Sequence, residues 1–388
     1  MIKTGIESLA SSPPDWLQGK RLGLLCNQGS TDRDFRHSRD IINAVLPGRL
    51  KCLFSPQHGF FADKQDNMIE SPHLTDTVTG LPLFSLYGET RKPDSEMLDH
   101  LDVLLIDLQD VGTRVYTFIH TMALCLEAAA QFGKKVVVLD RPNPIGGDEL
   151  EGNLVEEDLR SFVGLFPIPM RHGLTMGEMA RLLNEHFGIN ADLEVIRMEG
   201  WQRWMYFDDT GQPWVFPSPN MPTLATALVY PGQVIWEGTT VSEGRGTCLP
   251  FEMFGTPYLE HDRLQTTFDP LDLAGCLLRP VAFEPTSNKY NSTLCNGFHV
   301  QVTDRDLFRP FRTSLALMGG LLELYGDLFG YKEPPYEYEY EKMPIDMILG
   351  DKSVRKGLED GAKPLELEEG WREDLEGFDQ LRREFFLY

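Results

Sequence analysis

Residues 103–108 read VLLIDL and residues 135–140 read KVVVLD. Each is a short, unbroken apolar run rich in β-branched side chains, with an aspartate within it or at its end. A strand with one face in water alternates apolar and polar residues. A continuously apolar strand is covered on both faces, as in a parallel sheet. Between the two runs, residues 117–132 place Phe118, Met122, Cys125, Leu126 and Ala129 on one helical face before Gly133 stops the helix. Strand, helix, strand in this spacing is a right-handed βαβ unit.

The same rhythm extends towards the N-terminus. Residues 21–26 (RLGLLC), 50–54 and 81–86 are short apolar strands, and residues 40–46 form a short helix. Arg141-Pro142-Asn143-Pro144 then ends the 135–140 strand, because the prolines continue neither helix nor sheet. In open parallel sheets ligands lie beyond the carboxyl ends of the strands. Polar groups recur at those ends: Asn27 and Gln28, Gln57 and His58, Asp107 and Asp110, Asp140 and Arg141. The densest group is residues 55–71, SPQHGFFADKQDNMIES, a long polar loop straight after a core strand. No G-x-G-x-x-G, P-loop, G-x-S-x-G or H-E-x-x-H pattern occurs, so the expected domain is Rossmann-like in shape without a dinucleotide signature.

After residue 152 the pattern changes, and the chain divides into a Rossmann-like domain, residues 1–152, and a smaller α+β domain, residues 153–388. Thr175-Met-Gly-Glu178 opens a helix with a capping box, which makes Glu178 structural. Residues 193–197, 281–286 and 297–302 read as strands, and residues 311–329 as a long helix. Residues 216–252 are rich in Pro and Gly and carry Asn220, Glu237, Glu243 and Arg245, the last between two glycines that allow close approach to an anion. Tyr336, Tyr338 and Tyr340 alternate with glutamates, which fits an edge strand of no assigned function.

A net charge of −23 argues against nucleic acid and anionic membranes as partners, because both require basic patches. No run approaches the roughly 18 apolar residues of a membrane span, and the first residues lack the apolar core of a signal peptide. The expected compartment is the cytoplasm. Six cysteines lie far apart with no CxxC pair, so no metal site or disulfide framework is signalled.

Three chemistries fit these residues. Glycoside hydrolysis needs an acid and usually a second carboxylate. Candidates are Asp66 and Glu70 in the 55–71 loop, Asp110 and Asp140 at strand ends, and Glu237 and Glu243 beyond. Magnesium-assisted phosphoryl chemistry would use Asp107, Asp110 and Asp140. Binding without chemistry would use much the same loops. His58 and His172 are candidate proton shuttles, and His120 is expected to pack within its helix.

Seven stretches carry a family resemblance: SPQHGF (55–60), LPLFSLYG (81–88), DLQDVGTRVYTFIHTM (107–122), LDRPNPIGG (139–147), PIPMRHGLTMGEMA (167–180), FPSPNMPTLATALVYPG (216–232) and EGTTVSEGRGT (237–247). In this order they resemble the bacterial exo-β-N-acetylmuramidase family. The resemblance implies an active site in a cleft between two domains. It also implies release of N-acetylmuramic acid from non-reducing ends of peptidoglycan fragments, with no cofactor and a sugar or muropeptide as the partner. Typical members carry Pro-Glu-His-Gly, whose Glu is the candidate acid. This chain has Gln57 there, an amide that has no acidic proton to give. Either Glu70 or Asp66 replaces it, or the protein binds a muramyl sugar or cleaves a different one. Asn27, Arg141, Asn143, His172, Asn220, Glu237, Glu243 and Arg245 are the expected cleft residues, with Arg141 or Arg245 pairing the lactyl carboxylate of a muramyl sugar.

Overall fold

The computed structural model describes all residues, Met1–Tyr388. Its main sheet contains β1 (Leu22–Cys26), β2 (Leu50–Ser55), β3 (Leu74–Thr75), β4 (Pro82–Ser85), β5 (Val103–Asp107), β6 (Lys135–Leu139) and β7 (Asp192–Ile196). The order is β3-β4-β2-β1-β5-β6-β7, parallel except for the short edge strand β3. The α/β reading therefore holds. Strand order reverses between β1 and β5, the kind of switch point at which open parallel sheets commonly hold ligands. Since β7 belongs to this sheet, the sheet extends past the boundary expected at residue 152.

The unbroken apolar strands follow from a two-sided core. On β5, Val103 and Leu105 join a smaller core with the Gly5–Ser11 and Ser38–Val45 helices, while Leu104 and Ile106 join the larger one. On β6, Val137 and Leu139 face the smaller core, and Val136 and Val138 the larger. The period-two geometry of a strand makes this division. Helix Phe118–Phe132 covers the larger face, and that core continues without a break into the second region through Trp236, Phe254 and Phe311.

The second region holds β8 (Met253–Thr256), β9 (Cys276–Phe283) and β10 (Cys295–Val302) as an antiparallel sheet in the order β8-β10-β9. Helix Leu224–Gln233 crosses helix Pro310–Tyr325 so closely that a Cβ on Gly232 would overlap the Pro310 carbonyl. Helices Pro344–Leu349, Lys352–Glu359 and Pro364–Arg382 complete it, and the last residue, Tyr388, donates its hydroxyl to Asp140 at the end of β6 (2.9 Å). The Thr175–Glu178 capping box forms. No helix is long and apolar enough to cross a membrane.

The tyrosine-rich segment differs from its sequence reading. Residues 336–340 form a tight turn, with Glu337 (φ 49°) and Tyr338 (φ 64°) in the left-handed region and one isolated bridge from Tyr336 to Glu339. Alternation suggested a strand, but two consecutive left-handed residues reverse the chain and break the extended pattern.

The two regions are clamped by Arg114, which is fully buried. Its Nη1 donates to the carbonyls of Asn153 (2.7 Å) and Ile168 (3.0 Å), and its Nη2 to those of Ile348 (3.0 Å) and Leu349 (2.9 Å). The last two are carbonyls at the end of helix Pro344–Leu349, and that of Leu349 also accepts from Asn153 Nδ2 (2.9 Å). Replacing Arg114 with Met leaves the buried carbonyls of Asn153, Ile168 and Ile348 without donors, and we expect a loss of about 3 kcal/mol or more in urea unfolding. Lysine should recover less than half of that, because one ammonium cannot span the positions reached by a planar fork.

Candidate active site

Strand β2 ends at Ser55, and the chain turns over Pro56 into Gln57, then His58 and Gly59 with φ of 72° and 78°. This turn points Gln57 and His58 into a cleft of about 430 Å³, counting space open to solvent. Residues 115–118, just before helix Phe118–Phe132, form one wall. Ser218, Asn220, Tyr230, Glu237, Arg245 and Phe251 form the opposite wall, and Tyr336 and Glu337 close the back.

The 55–71 loop is stitched to the second region. The Gln65 carbonyl accepts from Asn220 Nδ2 (2.9 Å) and Arg245 Nη1 (3.2 Å), and Asn67 Nδ2 donates to Glu237 (3.0 Å). Gln57 is saturated. Its Oε1 accepts from Thr117 Oγ1 (2.6 Å), and its Nε2 faces Glu337 Oε1 (3.0 Å), Tyr87 Oη (3.1 Å) and Asn67 Oδ1 (3.4 Å). Tyr87 Oη donates to the other oxygen of Glu337 (2.7 Å). The Arg91 guanidinium lies 3.8 Å from that carboxyl group and is boxed by Phe162, Tyr338 and Tyr87, with ring centroids 4.0, 4.6 and 5.4 Å away.

Two buried carboxyl groups therefore share the cleft, and their environments differ. Burial raises the pKa of Glu337 and outweighs the hydrogen bonds from Tyr87 and Gln57 and the attraction of Arg91. Burial also acts on Glu237, but there Arg245 (2.6 Å), the Tyr336 hydroxyl (2.6 Å) and Lys289 reverse it, and the pKa is lowered. Arg245 also lies 3.4 Å from Glu243, which Lys289 holds at 2.8 Å. Glu237, Glu243, Arg245 and Lys289 thus form a balanced group of two anions and two cations. Removing one member leaves a buried charge unpaired.

His58 faces the same cleft. Its Nδ1 is 2.7 Å from the Lys64 carbonyl, so Nδ1 carries the proton and Nε2 is left as an acceptor. Burial depresses its pKa to about 4.

The structure brings together Gln57, His58, Asn220, Glu237 and Arg245, with Glu243 behind Arg245. The other expected residues lie elsewhere. Asp66 sits at the surface and accepts from Asn288 (3.2 Å), and Glu70 is exposed, so neither lines the cleft. Arg141 is locked in a buried bidentate pair with Asp107 (2.5 and 2.9 Å) beneath the strand ends. Asn27 ties the end of β1 to the end of β5 by donating to the Gln109 carbonyl (3.0 Å). Asn143 donates to the Leu174 carbonyl (3.1 Å), and Gly112 (φ 78°) leaves no room for a Cβ beside it. His172 and Asp110 face each other at 3.5 Å, also away from the cleft. Asp140 caps the Met176–Arg181 helix by accepting from Gly177 N (2.7 Å) and Thr175 (2.8 Å). His120 is packed in its helix and bonds the Arg114 carbonyl (2.9 Å). Sequence reasoning missed Thr117, Tyr87, Arg91 and above all Glu337. The tyrosine–glutamate alternation around Glu337 carried no signal of a site.

Comparison with known proteins matches this arrangement to one family along nearly the whole chain. Residues 22–225 match the N-terminal domain of the exo-β-N-acetylmuramidase NamZ, and residues 228–388 match its C-terminal domain. The chain belongs to the exo-β-N-acetylmuramidase family. It is 41% identical to the peptidoglycan β-N-acetylmuramidase NamZ of Bacillus subtilis (strain 168), covering all of this chain and 91% of that protein. Two solved structures from Bacteroides fragilis NCTC 9343, both described as DUF1343 family proteins, superpose over all of this chain and 99% of theirs. Their TM-scores are 0.89 at 34% identity and 0.78 at 28%. Within this muramidase-family fold, the cleft between sheet and second region is where the candidate residues meet.

The low pKa of His58 carries a stability consequence. Between about pH 6.5 and 4 the unfolded chain binds a proton there that the folded chain does not. Its contribution is complete above pH 6.5 and is lost as pH falls, by about 1.4 kcal/mol per pH unit. His58→Asn, which tolerates the left-handed backbone, should flatten the fall in urea midpoint across that range. An unchanged slope would show that His58 titrates normally in the folded protein.

Proposed function

We propose that the protein is an exo-acting glycosidase that releases N-acetylmuramic acid, or a closely related amino sugar, from non-reducing ends of peptidoglycan fragments. The observation that carries this reading is the pair of buried carboxyl groups, Glu237 and Glu337, facing one cleft in a chain matched to the family over nearly its full length. Cleaving a glycosidic bond through an oxocarbenium-like transition state calls for a proton at the leaving oxygen and negative charge near the anomeric carbon. Glu237, kept ionised by Arg245, Tyr336 and Lys289, supplies that charge.

The exo character fits the stitching of the 55–71 loop. The contacts of Gln65 and Asn67 with Asn220, Arg245 and Glu237 close one side of the cleft. A cleft closed on one side admits the end of a glycan rather than its middle. Arg245 is the one cation among the lining residues and remains the candidate for the lactyl carboxylate. It would meet that group while still bound to Glu237 and Glu243.

Incubating the protein with MurNAc-GlcNAc should release both free sugars. Glu237→Gln should lower kcat by roughly two orders of magnitude or more, the scale for removing a positioned charge from a transition state. Saturable binding of the disaccharide with no turnover would overturn the hydrolase reading.

A further inference from the structure

Gln57 stands at the centre of the buried polar network at the back of the cleft. Gln57 has no acidic proton, and all of its hydrogen-bonding capacity is directed into the network of Thr117, Tyr87, Asn67 and Glu337. Three ångströms from its amide nitrogen stands Glu337, a carboxyl group that lines the cleft itself. Two of the roughly four hydrogen-bonding positions on the Glu337 oxygens are taken, by Gln57 and Tyr87, so positions remain to carry a proton towards the cleft. The turn that delivers it holds two consecutive non-glycine residues in the left-handed region, at 49° and 64°. Such backbone is costly and persists where the surroundings require one arrangement.

We propose that Glu337 is the general acid of this enzyme and that Gln57 positions it. This deepens the muramidase reading and rests on it. With glutamate at position 57, two carboxyl groups would face each other at about 3 Å, and like charge would keep one of them protonated. With glutamine there, one carboxyl group remains, and burial raises its pKa.

The charged and titratable groups around Glu337 are Tyr87 and Arg91 from the β4 side, Tyr336 and Tyr338 from its own turn, and Glu237 across the cleft. Tyr87, Arg91 and Gln57 favour its ionised form, whereas burial and Glu237 favour the acid, and the net displacement is upward. Glu237 is displaced downward. Two carboxyl groups pushed apart in this way divide into acid and base.

In the step itself, Glu337 gives its proton to the glycosidic oxygen as the bond from that oxygen to the anomeric carbon breaks, and the leaving sugar departs as an alcohol. The oxygen of a water molecule bonds to the anomeric carbon, and its proton passes to the Glu237 carboxylate. Exchange with solvent returns a proton to Glu337 and removes one from Glu237, so one water is consumed per bond cleaved.

The test compares MurNAc-GlcNAc, whose leaving alcohol needs a proton, with a nitrophenyl N-acetylmuraminide, whose leaving phenolate does not. Glu337→Gln should lower kcat on the disaccharide roughly 10²–10⁴-fold and on the aryl glycoside less than about tenfold. Wild-type turnover with equal losses on both substrates would overturn the assignment alone. No wild-type turnover of either substrate would overturn the muramidase reading and the acid with it. Should Glu337→Gln not fold, Tyr87→Phe decides. It removes a donor to the ionised form, so the alkaline limb of kcat/KM on the disaccharide should move to higher pH, and an unmoved limb counts against Glu337.

Discussion

The architecture depends on one buried guanidinium. Arg114 lies in the loop between β5 and helix Phe118–Phe132 and reaches carbonyls in three other parts of the chain, up to 235 residues away. A charge this deep is tolerated because it donates to four carbonyl dipoles, those of Asn153, Ile168, Ile348 and Leu349. The consequence for the site is geometric. The same loop supplies Thr117, which bonds Gln57, while the clamped helix Pro344–Leu349 follows directly on the turn that carries Glu337. The clamp thus sets the distance between the two halves of the cleft.

Within the cleft, burial acts on every ionisable group, and the outcome depends on which partners compensate it. Glu237 has a guanidinium at 2.6 Å and stays ionised. Glu337 has Arg91 only at 3.8 Å, because that guanidinium is held over three aromatic rings, and its pKa rises. Similar burial and different cation distances displace two carboxyl pKa values in opposite directions, which is what acid and base roles at one bond require. Asp140 shows that a raised pKa does not by itself mark a catalytic group. Burial lifts it to about 7, yet it caps a helix and lines no cleft.

The parallel sheet was legible because local chemistry determines it. Apolar runs such as VVVL at 136–139 can only be covered on both faces, and the interleaved helix at 118–132 carries its own apolar face and its own glycine stop. The location of the site was legible for the same reason, since strand ends are where polar residues collect, and Gln57 and His58 follow β2. Arg141 and Asn143 also stand at a strand end but point into the scaffold. Sequence position places a residue at the rim without saying which way its side chain turns.

What the sequence by itself determined is therefore the layered α/β core, the rim on which the site lies, and, through seven motifs in order, the family. Only the tertiary structure decided which carboxyl groups meet. Glu337 and Gln57 are 280 residues apart and touch because a turn with left-handed backbone, a diproline and the Arg114 clamp bring the chain back across the sheet. Periodicity reports contacts within one element. A contact between a strand end and a distant turn depends on packing of the whole core and leaves no local pattern to read.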